Sequence, residues 1–301
     1  MNKFALSNKN FDNADFIIFG VADETGSRAK RKGTSLAPAE IRKVFSKFEV
    51  IKKHGDSFFE PADASLKKAV QDFNVYDLGN IKKDDVRTKV YDILNAGKIP
   101  ICIGGDHSIT YEILHSLNKK MQSIGQKFSI VYFDAHPDFI SSYTHYYGSV
   151  LYDASKLDML DIEKSVIVGM REPEMEELKN IQKYKIKYIP IFDFKSKSVD
   201  SIISFIRKTV LKNVYISIDM DVVDPAFAPG VDVPAPGGIS SLELLYLIKS
   251  IAPLSNLGAD IMEISPPYDI NSITSMLGVK IIEELIVSLK KPIFERSQVH
   301  R

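Results

Sequence analysis

The sequence of 301 residues contains one cysteine, Cys102, and this scarcity limits its chemistry. A single cysteine excludes an intramolecular disulfide, which suits a reducing cytoplasm rather than a secreted protein. Cys102 lies inside the apolar run IPICIGG, so we expect a buried core thiol.

Net charge and long apolar runs are also lacking. The 39 basic and 39 acidic side chains cancel, which argues against nucleic acid or an anionic membrane as a partner. No segment reaches the roughly 18 uncharged apolar residues that span a bilayer, and the start MNKFALSNKNFDNADF has no continuous apolar stretch of the signal-peptide type. We therefore expect a cytoplasmic protein with a small ligand, and we interpret the basic run RAKRKGTS (28–35) as a solvated loop or an oligomer contact.

The order of apolar segments predicts an α/β protein. Eight β-rich runs are mostly apolar on both faces, and amphipathic segments of helical period separate most of them. Strands buried on both faces and alternating with helices indicate a parallel sheet covered by helices. The runs occupy 16–21, 74–79, 99–105, 129–134, 165–170, 188–194, 214–220 and 259–265. No linker or repeat divides the chain, so we expect one domain over 1–301; periodicity alone leaves open a closed barrel and an open sheet.

Three of these strand ends carry ionisable residues, and functional residues gather where parallel strands end. The motif VYFDAHPDF places an ionisable group at every second position, which would converge on one side of an extended strand. The other two motifs are GGDHSIT and DMDVVDP. From these motifs we take two imidazoles and four carboxylates as candidate ligands: His107, Asp134, His136, Asp138, Asp219 and Asp221.

Such a cluster predicts a binuclear metal site. Crowded carboxylates repel one another unless a positive charge lies between them. Four negative charges would balance two divalent ions with bridging carboxylates. An oxygen-rich set with two histidines favours Mn²⁺ over Fe²⁺, Co²⁺ or Zn²⁺, and Mg²⁺ usually avoids imidazole. We therefore expect two Mn²⁺ ions per subunit.

The same motifs resemble a known family. GGDHS (104–108), DAHPD (134–138) and SIDMDVVDPAFAPG (217–230) resemble the signature segments of the arginase/agmatinase family of ureohydrolases, and PAEIR, DLGN, VGMRE and EISPPYD are similar to further family landmarks. The resemblance implies a single-domain, three-layer α/β/α fold with an open, mostly parallel eight-stranded sheet. It also implies two Mn²⁺ ions at the six residues above, a homotrimer or homohexamer, and hydrolysis of a guanidino group to urea and an amine.

The chemistry of that reaction gives roles to further residues. A guanidinium is a poor electrophile and water a poor nucleophile, and a water that bridges two metals would lose a proton near neutral pH. Glu263 is similar to the family's guanidinium-binding glutamate, and a carboxylate matches the guanidinium fork. We expect Asp138, His145 and Glu263 to be catalytic, with Glu263 and His145 contacting the substrate. Asp224, before Pro225, is expected to be a turn residue.

The proton carrier is less clearly marked. Family members commonly carry a His followed by Gly in the loop after DAHxD, and here the loop reads FISSYTHYYGSVLYDAS. His145 stands two residues earlier relative to Gly148 than the pattern requires. Either His145 still reaches the site, which is our expectation, or Tyr147 takes its place.

The expected substrate is agmatine, cleaved to putrescine and urea. DPAFAPG followed by PAPGG, with MEISPPYD, resembles the agmatinase branch, whereas FISSY does not match the arginase pattern. VDVP (231–234) departs from the usual sequence, and we expect it to alter the far end of the pocket. The alternatives are guanidinobutyrase, arginase, formimidoylglutamase, a metal-dependent deacetylase of the same fold type, and a non-catalytic polyamine-binding relative.

Overall fold

The computed structural model describes residues 4, 7–53 and 74–289. Eight parallel strands form one sheet in the order β2-β1-β3-β8-β7-β4-β5-β6. Because β2 and β6 lie at opposite ends of this order, the sheet is open and not a barrel. The strands are β1 (Phe16–Val21), β2 (Val75–Ile81), β3 (Ile99–Ile103), β4 (Ser129–Phe133), β5 (Val166–Met170), β6 (Lys187–Pro190), β7 (Val214–Asp219) and β8 (Ala259–Met262).

Helices cover both faces of the sheet. They are α1 (Ala37–Lys53), α2 (Val86–Asn95), α3 (Ser108–Ser123), α4 (Val150–Ala154), α5 (Met175–Tyr184), α6 (Ile191–Ser196), α7 (Val199–Thr209), α8 (Ser241–Ile251) and α9 (Ile273–Ser288). Helices α1 and α6 to α9 contribute to one apolar core, and α2 to α5 contribute to the other. The three-layer α/β/α architecture predicted from the sequence is confirmed. In the described ranges, no helix is both long enough and apolar enough to cross a membrane.

The two cores explain why the strands are apolar at almost every position. In β3, Ile101 and Ile103 pack into one core while Cys102, between them, packs into the other. Successive side chains of a strand point to opposite faces, so a strand covered on both faces has no polar alternation. Cys102 is the buried thiol expected from the sequence, and burial raises its pKa well above the usual value.

One predicted strand is shorter than expected. The run 188–194 was predicted as a single strand, but β6 ends at Pro190 and α6 follows directly. Ile191 and Phe194 are buried while Phe192 is 86% exposed. A spacing of three residues places two side chains on one face of a helix but on opposite faces of a strand, and the burial pattern here is helical.

The four central strands of the sheet position the candidate site. The ionisable clusters lie at the carboxyl ends of β3, β4 and β7, and Glu263 follows β8 directly. These strands are neighbours in the order β3-β8-β7-β4, and all are parallel. Their carboxyl ends therefore meet at one edge of the sheet, where open α/β sheets bind ligands.

A buried ion pair joins α1 to the edge strand β2. The Arg42 guanidinium donates from Nε to Asp77 Oδ2 and from Nη2 to Asp77 Oδ1, both at 2.8 Å. Arg42 is 1% exposed and Asp77 2%. Although burial opposes ionisation of Asp77, Arg42 holds the pKa of this carboxyl below its usual value. This pair fixes the helix that contains the PAEIR motif onto the strand that contains DLGN.

We predict that Arg42→Met lowers the free energy of unfolding by about 3–5 kcal/mol, because it leaves the Asp77 carboxylate buried without its partner. Denaturant unfolding would measure the loss. The matched control is Lys43→Met, since the Lys43 side chain is 56% exposed in its ion pair with Glu40, and its effect should stay within about 0.5 kcal/mol. Equal losses in the two variants would contradict a structural role for the buried pair.

Candidate active site

Tight turns bring the predicted metal ligands together. β4 ends at Phe133, so Asp134, His136 and Asp138 do not continue an extended strand as the sequence analysis expected. Instead, the His136 N–H donates to Asp134 Oδ1 at 2.6 Å. The Asp221 N–H donates in the same way to Asp219 Oδ1 at 2.8 Å. Aspartates that bond the backbone two residues on favour such turns, which fold both clusters over the sheet edge.

The six side chains form two groups of possible metal ligands. In the first, His107 Nδ1 lies 3.1 Å from Asp134 Oδ2 and 3.0 Å from Asp219 Oδ2, with Asp138 Oδ2 at 3.4 Å. In the second, His136 Nδ1 lies 2.8 Å from Asp221 Oδ2 and 3.6 Å from Asp134 Oδ1. Within the groups His107–Asp134–Asp219 and Asp134–His136–Asp221, the ligand atoms lie within 4.8 Å of one another. Asp134 belongs to both groups and turns one oxygen toward each.

The electrostatics of this cluster favour a cation. Burial raises the pKa of Asp138 and of Asp219 well above the usual value, and the neighbouring charge of Asp134 adds to the rise in both. Burial disfavours the charged form of His107 and His136, but the surrounding carboxylates outweigh it and raise the pKa of each. The two imidazoles in turn hold the pKa of Asp134 at about 2 despite its burial. Divalent ions would neutralise the carboxylates that otherwise suppress one another's ionisation.

The donor atoms fit such ions. Asp134 Oδ2 is buried and, among the described residues, accepts no hydrogen bond. A buried carboxylate oxygen without a donor is costly unless a cation pairs with it. Carboxylate oxygens with two imidazole nitrogens form a ligand set that suits divalent transition-metal ions.

A hydrogen-bonded chain behind His107 fixes its ring. Ser217 Oγ donates to Asp260 Oδ1 at 2.7 Å and lies 2.9 Å from His107 Nε2. Because the serine proton is used on Asp260, Nε2 donates to Oγ, and Nδ1 is the nitrogen that faces Asp134 and Asp219 and would bind an ion. Outer partners of this kind orient metal ligands.

Sequence reasoning missed this outer set of residues. Tyr132 belongs to it as well, because its hydroxyl donates to Asp138 Oδ2 at 2.5 Å. A signal was present, since Tyr132 and Ser217 each precede a predicted ligand by two residues. A polar side chain two residues before a ligand, in an otherwise apolar strand, lies on the same face of the strand as that ligand and can contact it.

Glu263 is held beside the two groups of possible metal ligands in a strained backbone conformation. Glu263 and Asp138 both have positive φ angles, of 65° and 50°, in a region that costs non-glycine residues energy and is enriched at functional sites. The Glu263 N–H donates to the Gly105 carbonyl at 2.9 Å, and Glu263 Oε1 accepts from the His107 N–H at 2.6 Å. A side chain at Gly105 would place its Cβ 1.8 Å from the Asp23 carbonyl oxygen, so only glycine allows this close approach.

The second oxygen of Glu263 is buried and, within the described part of the chain, has no hydrogen-bond partner. Burial raises the pKa of Glu263 well above its usual value, and the charges of Asp232 and Asp219 add to the rise. Asp232 was not singled out from the sequence, and it is 5% exposed. Burial raises the pKa of Asp232 to about 6.

The structure does not bring His145 to either group of possible metal ligands. Its Nδ1 lies 2.9 Å from Asp153 Oδ2, and its Nε2 lies 2.9 Å from the Ser108 carbonyl oxygen. Both ring nitrogens are therefore engaged away from the six ligands. Tyr147 interacts electrostatically with the site instead: burial raises its pKa to about 12, and the charges of Asp232, Glu263 and Asp138 add to the rise.

Asp224 and the basic run also have defined places. Asp224 accepts from the N–H groups of Ala226, Gly237 and Gly238, which is the turn role expected of it. The RAKRKGTS run is not wholly solvated. Arg31 Nη1 donates to the Val231 carbonyl at 3.4 Å, and Lys32 donates to the Ser27 carbonyl at 2.8 Å.

Comparisons with known proteins agree with this arrangement. The sequence model of the Arginase family matches residues 14–288. The chain is 29% identical to a guanidinobutyrase of Pseudomonas aeruginosa, over 92% of this chain and 87% of that enzyme. It is 31% identical to a proclavaminate amidinohydrolase of Streptomyces clavuligerus, over 90% of this chain and 87% of that enzyme. The crystal structure of an agmatine ureohydrolase of Thermoplasma volcanium superposes with a TM-score of 0.81 at 30% identity, covering 97% of this chain and 95% of that chain.

The shared position of Asp134 predicts how the ions depend on it. We expect the protein to bind two divalent ions per chain, Asp221→Asn to keep one, and Asp134→Asn to lose tight binding of both. Elemental analysis after dialysis against Mn²⁺ would count them. Asp200→Asn removes an exposed carboxylate of α7 and should retain two ions. Two ions retained by Asp134→Asn would contradict the assignment of Asp134 to both groups.

Proposed function

This chain belongs to the arginase family and acts on guanidino compounds, and on that basis we propose that it hydrolyses agmatine to putrescine and urea. The proposal places two Mn²⁺ ions per subunit at the six ligands described above. The same family resemblance leads us to propose a homotrimer or homohexamer in the cytoplasm.

The observation that carries the proposal is the free oxygen of Glu263. It is buried next to the ligand His107 and accepts no hydrogen bond from any described residue. A guanidinium offers planar N–H donors that match a carboxylate, so the substrate cation would complete the pairing of Glu263. That contact would hold the guanidino carbon beside the metal groups.

The protein groups would then position reactants and move protons. Divalent ions held by the six ligands would acidify water and so supply a nucleophile near neutral pH. We assign to Asp138 the acceptance of the proton that water loses. We assign to Tyr147 the delivery of a proton to the leaving amine, because the charges of Asp138 and Glu263 act on its hydroxyl while His145 is engaged elsewhere. Tyr147 was the alternative proton carrier in the sequence analysis.

Agmatine suits the charge of this pocket. Asp232 and Glu263 are both buried there, and among the described residues no lysine or arginine forms an ion pair with either carboxylate. Agmatine lacks a carboxylate and carries an ammonium at its far end, so both of its charges are attracted to an acidic pocket.

Arg31 favours a second candidate, a guanidino acid such as 4-guanidinobutyrate. Its guanidinium lies over the Tyr268 ring at 4.8 Å and donates to the Val231 carbonyl. Since Val231 adjoins Asp232, Arg31 lies near the pocket and would match a substrate carboxylate.

Urea release from the Mn²⁺-loaded protein tests the proposal. With agmatine, L-arginine and 4-guanidinobutyrate at equal concentration, we expect kcat/KM for agmatine to exceed the others by roughly tenfold or more. Preference for 4-guanidinobutyrate, abolished by Arg31→Ala, would establish the second candidate instead. No urea from any of the three, with two ions bound, would contradict hydrolysis of simple guanidino compounds.

Two single variants distinguish the proton carriers. Tyr147→Phe removes the hydroxyl alone, and we expect it to lower kcat by roughly 100-fold or more, as loss of a general acid does. His145→Ala should lower kcat by less than about tenfold, since its ring contacts Asp153 and Ser108 and not the ligands. Steady-state kinetics with agmatine would measure both. The reverse order of effects would restore His145 as the proton carrier, as the sequence analysis expected.

A further inference from the structure

Backbone pairing sets Asp232 opposite Glu263. An antiparallel bridge joins Val231 to Ile264, and the Ser265 N–H donates to the Gly230 carbonyl at 2.7 Å. In an antiparallel pair, the residue after Val231 faces the residue before Ile264. The carboxylates of Asp232 and Glu263 therefore belong to neighbouring positions of two paired segments.

Both side chains of this opposed pair point away from the core. Val231 and Ile264 pack into the apolar core, and successive side chains along an extended segment alternate in direction. Glu263 is seen to face the site, because it contacts His107. Asp232 therefore lies beside Glu263, whereas the sequence analysis expected VDVP to alter the far end of the pocket.

A second loop holds Asp232 in place. Ser27 Oγ donates to Asp232 Oδ2 at 3.2 Å. The preceding residue, Gly26, donates its N–H to Asp106 Oδ2 at 2.7 Å, and Asp106 is the neighbour of the ligand His107. The loop after β1 thus connects Asp232 with the β3 turn that carries His107.

This pair of carboxylates has no cationic partner in the ranges the structure describes. Arg31 and Lys32, in the loop after β1, donate to backbone carbonyls and not to either carboxylate. The two carboxyl groups interact directly: burial and the charge of Asp232 raise the pKa of Glu263, while burial and the charge of Asp221 raise the pKa of Asp232 and the Glu263 side chain lowers it. Two buried carboxylates that face one another favour a cation between them.

We propose that Asp232 is a second substrate-binding carboxylate, and that the guanidinium of the substrate lies between Asp232 and Glu263. This rests on the proposed function and adds a specificity determinant to it. A guanidinium has enough N–H donors in one plane to serve both carboxylates. Urea is neutral, so the attraction to both is lost on hydrolysis, which favours product release.

The test distinguishes recognition of the ligand's positive charge from recognition of its shape. Butylguanidinium and N-butylurea are nearly isosteric inhibitors, of which only the first is a cation. In Asp232→Asn, we expect KM for agmatine and KI for butylguanidinium to rise roughly 10- to 100-fold, as after loss of a hydrogen bond to a charged group. KI for N-butylurea should change less than about threefold. In Ser27→Ala, we expect KM for agmatine and KI for butylguanidinium to rise by a smaller factor, again with little change in KI for N-butylurea. Asp200→Asn, which removes a distant exposed charge, is the matched control.

Each result bears on the proposal. If KM and both KI values in Asp232→Asn equal those of the wild type, Asp232 does not bind the guanidinium, whereas urea release by the wild type still supports the proposed function. If Asp232→Asn lowers the number of bound Mn²⁺ ions, Asp232 is a metal ligand and the inference is overturned. If the wild type releases no urea, calorimetric binding of butylguanidinium to wild type and variant still decides whether Asp232 recognises the cation.

Discussion

The mutual repulsion of buried carboxylates at one sheet edge is the constraint on which the rest of the site depends. Asp134, Asp138, Asp219 and Asp221 are all nearly inaccessible to solvent. Hydration cannot offset their charge there, so the fold is compatible with four ionised aspartates only if cations occupy the space between them. The parallel sheet causes this crowding, because it directs the ends of its central strands to one place.

The outer residues convert this crowding into a defined geometry. Asp260 accepts from Ser217, Thr110 and Tyr215, so its position is fixed by three donors. Ser217 in turn orients His107. A rigid chain of this kind keeps the ligand nitrogen directed at the carboxylates before an ion arrives, which reduces the ordering cost of binding.

The sequence predicts the parts of this structure that depend on local pattern. All eight strands follow from apolar runs, and the six candidate ligands, which the structure brings together, follow from ionisable residues placed at the ends of those runs. The predicted end of β6 was wrong because a short apolar run does not distinguish a strand from a helix. Asp232 and the orientation of His145 depend on contacts between distant segments: Val231 pairs with Ile264, and His145 with Ser108. No spacing within either motif encodes such a contact.

The charges of the whole site argue for the kind of substrate. Two divalent ions would balance the four aspartates, which would leave Glu263 and Asp232 to be balanced by the substrate. A guanidino acid carries one positive and one negative charge, so its net charge is zero. Its binding therefore leaves the charges of both carboxylates uncompensated at long range, unless a basic group such as Arg31 pairs with the carboxylate of the substrate. Agmatine brings two positive charges, one at each end. Because Coulomb attraction in a partly buried pocket extends beyond direct contact, a second carboxylate beside Glu263 favours the doubly charged substrate even though it touches only the guanidinium.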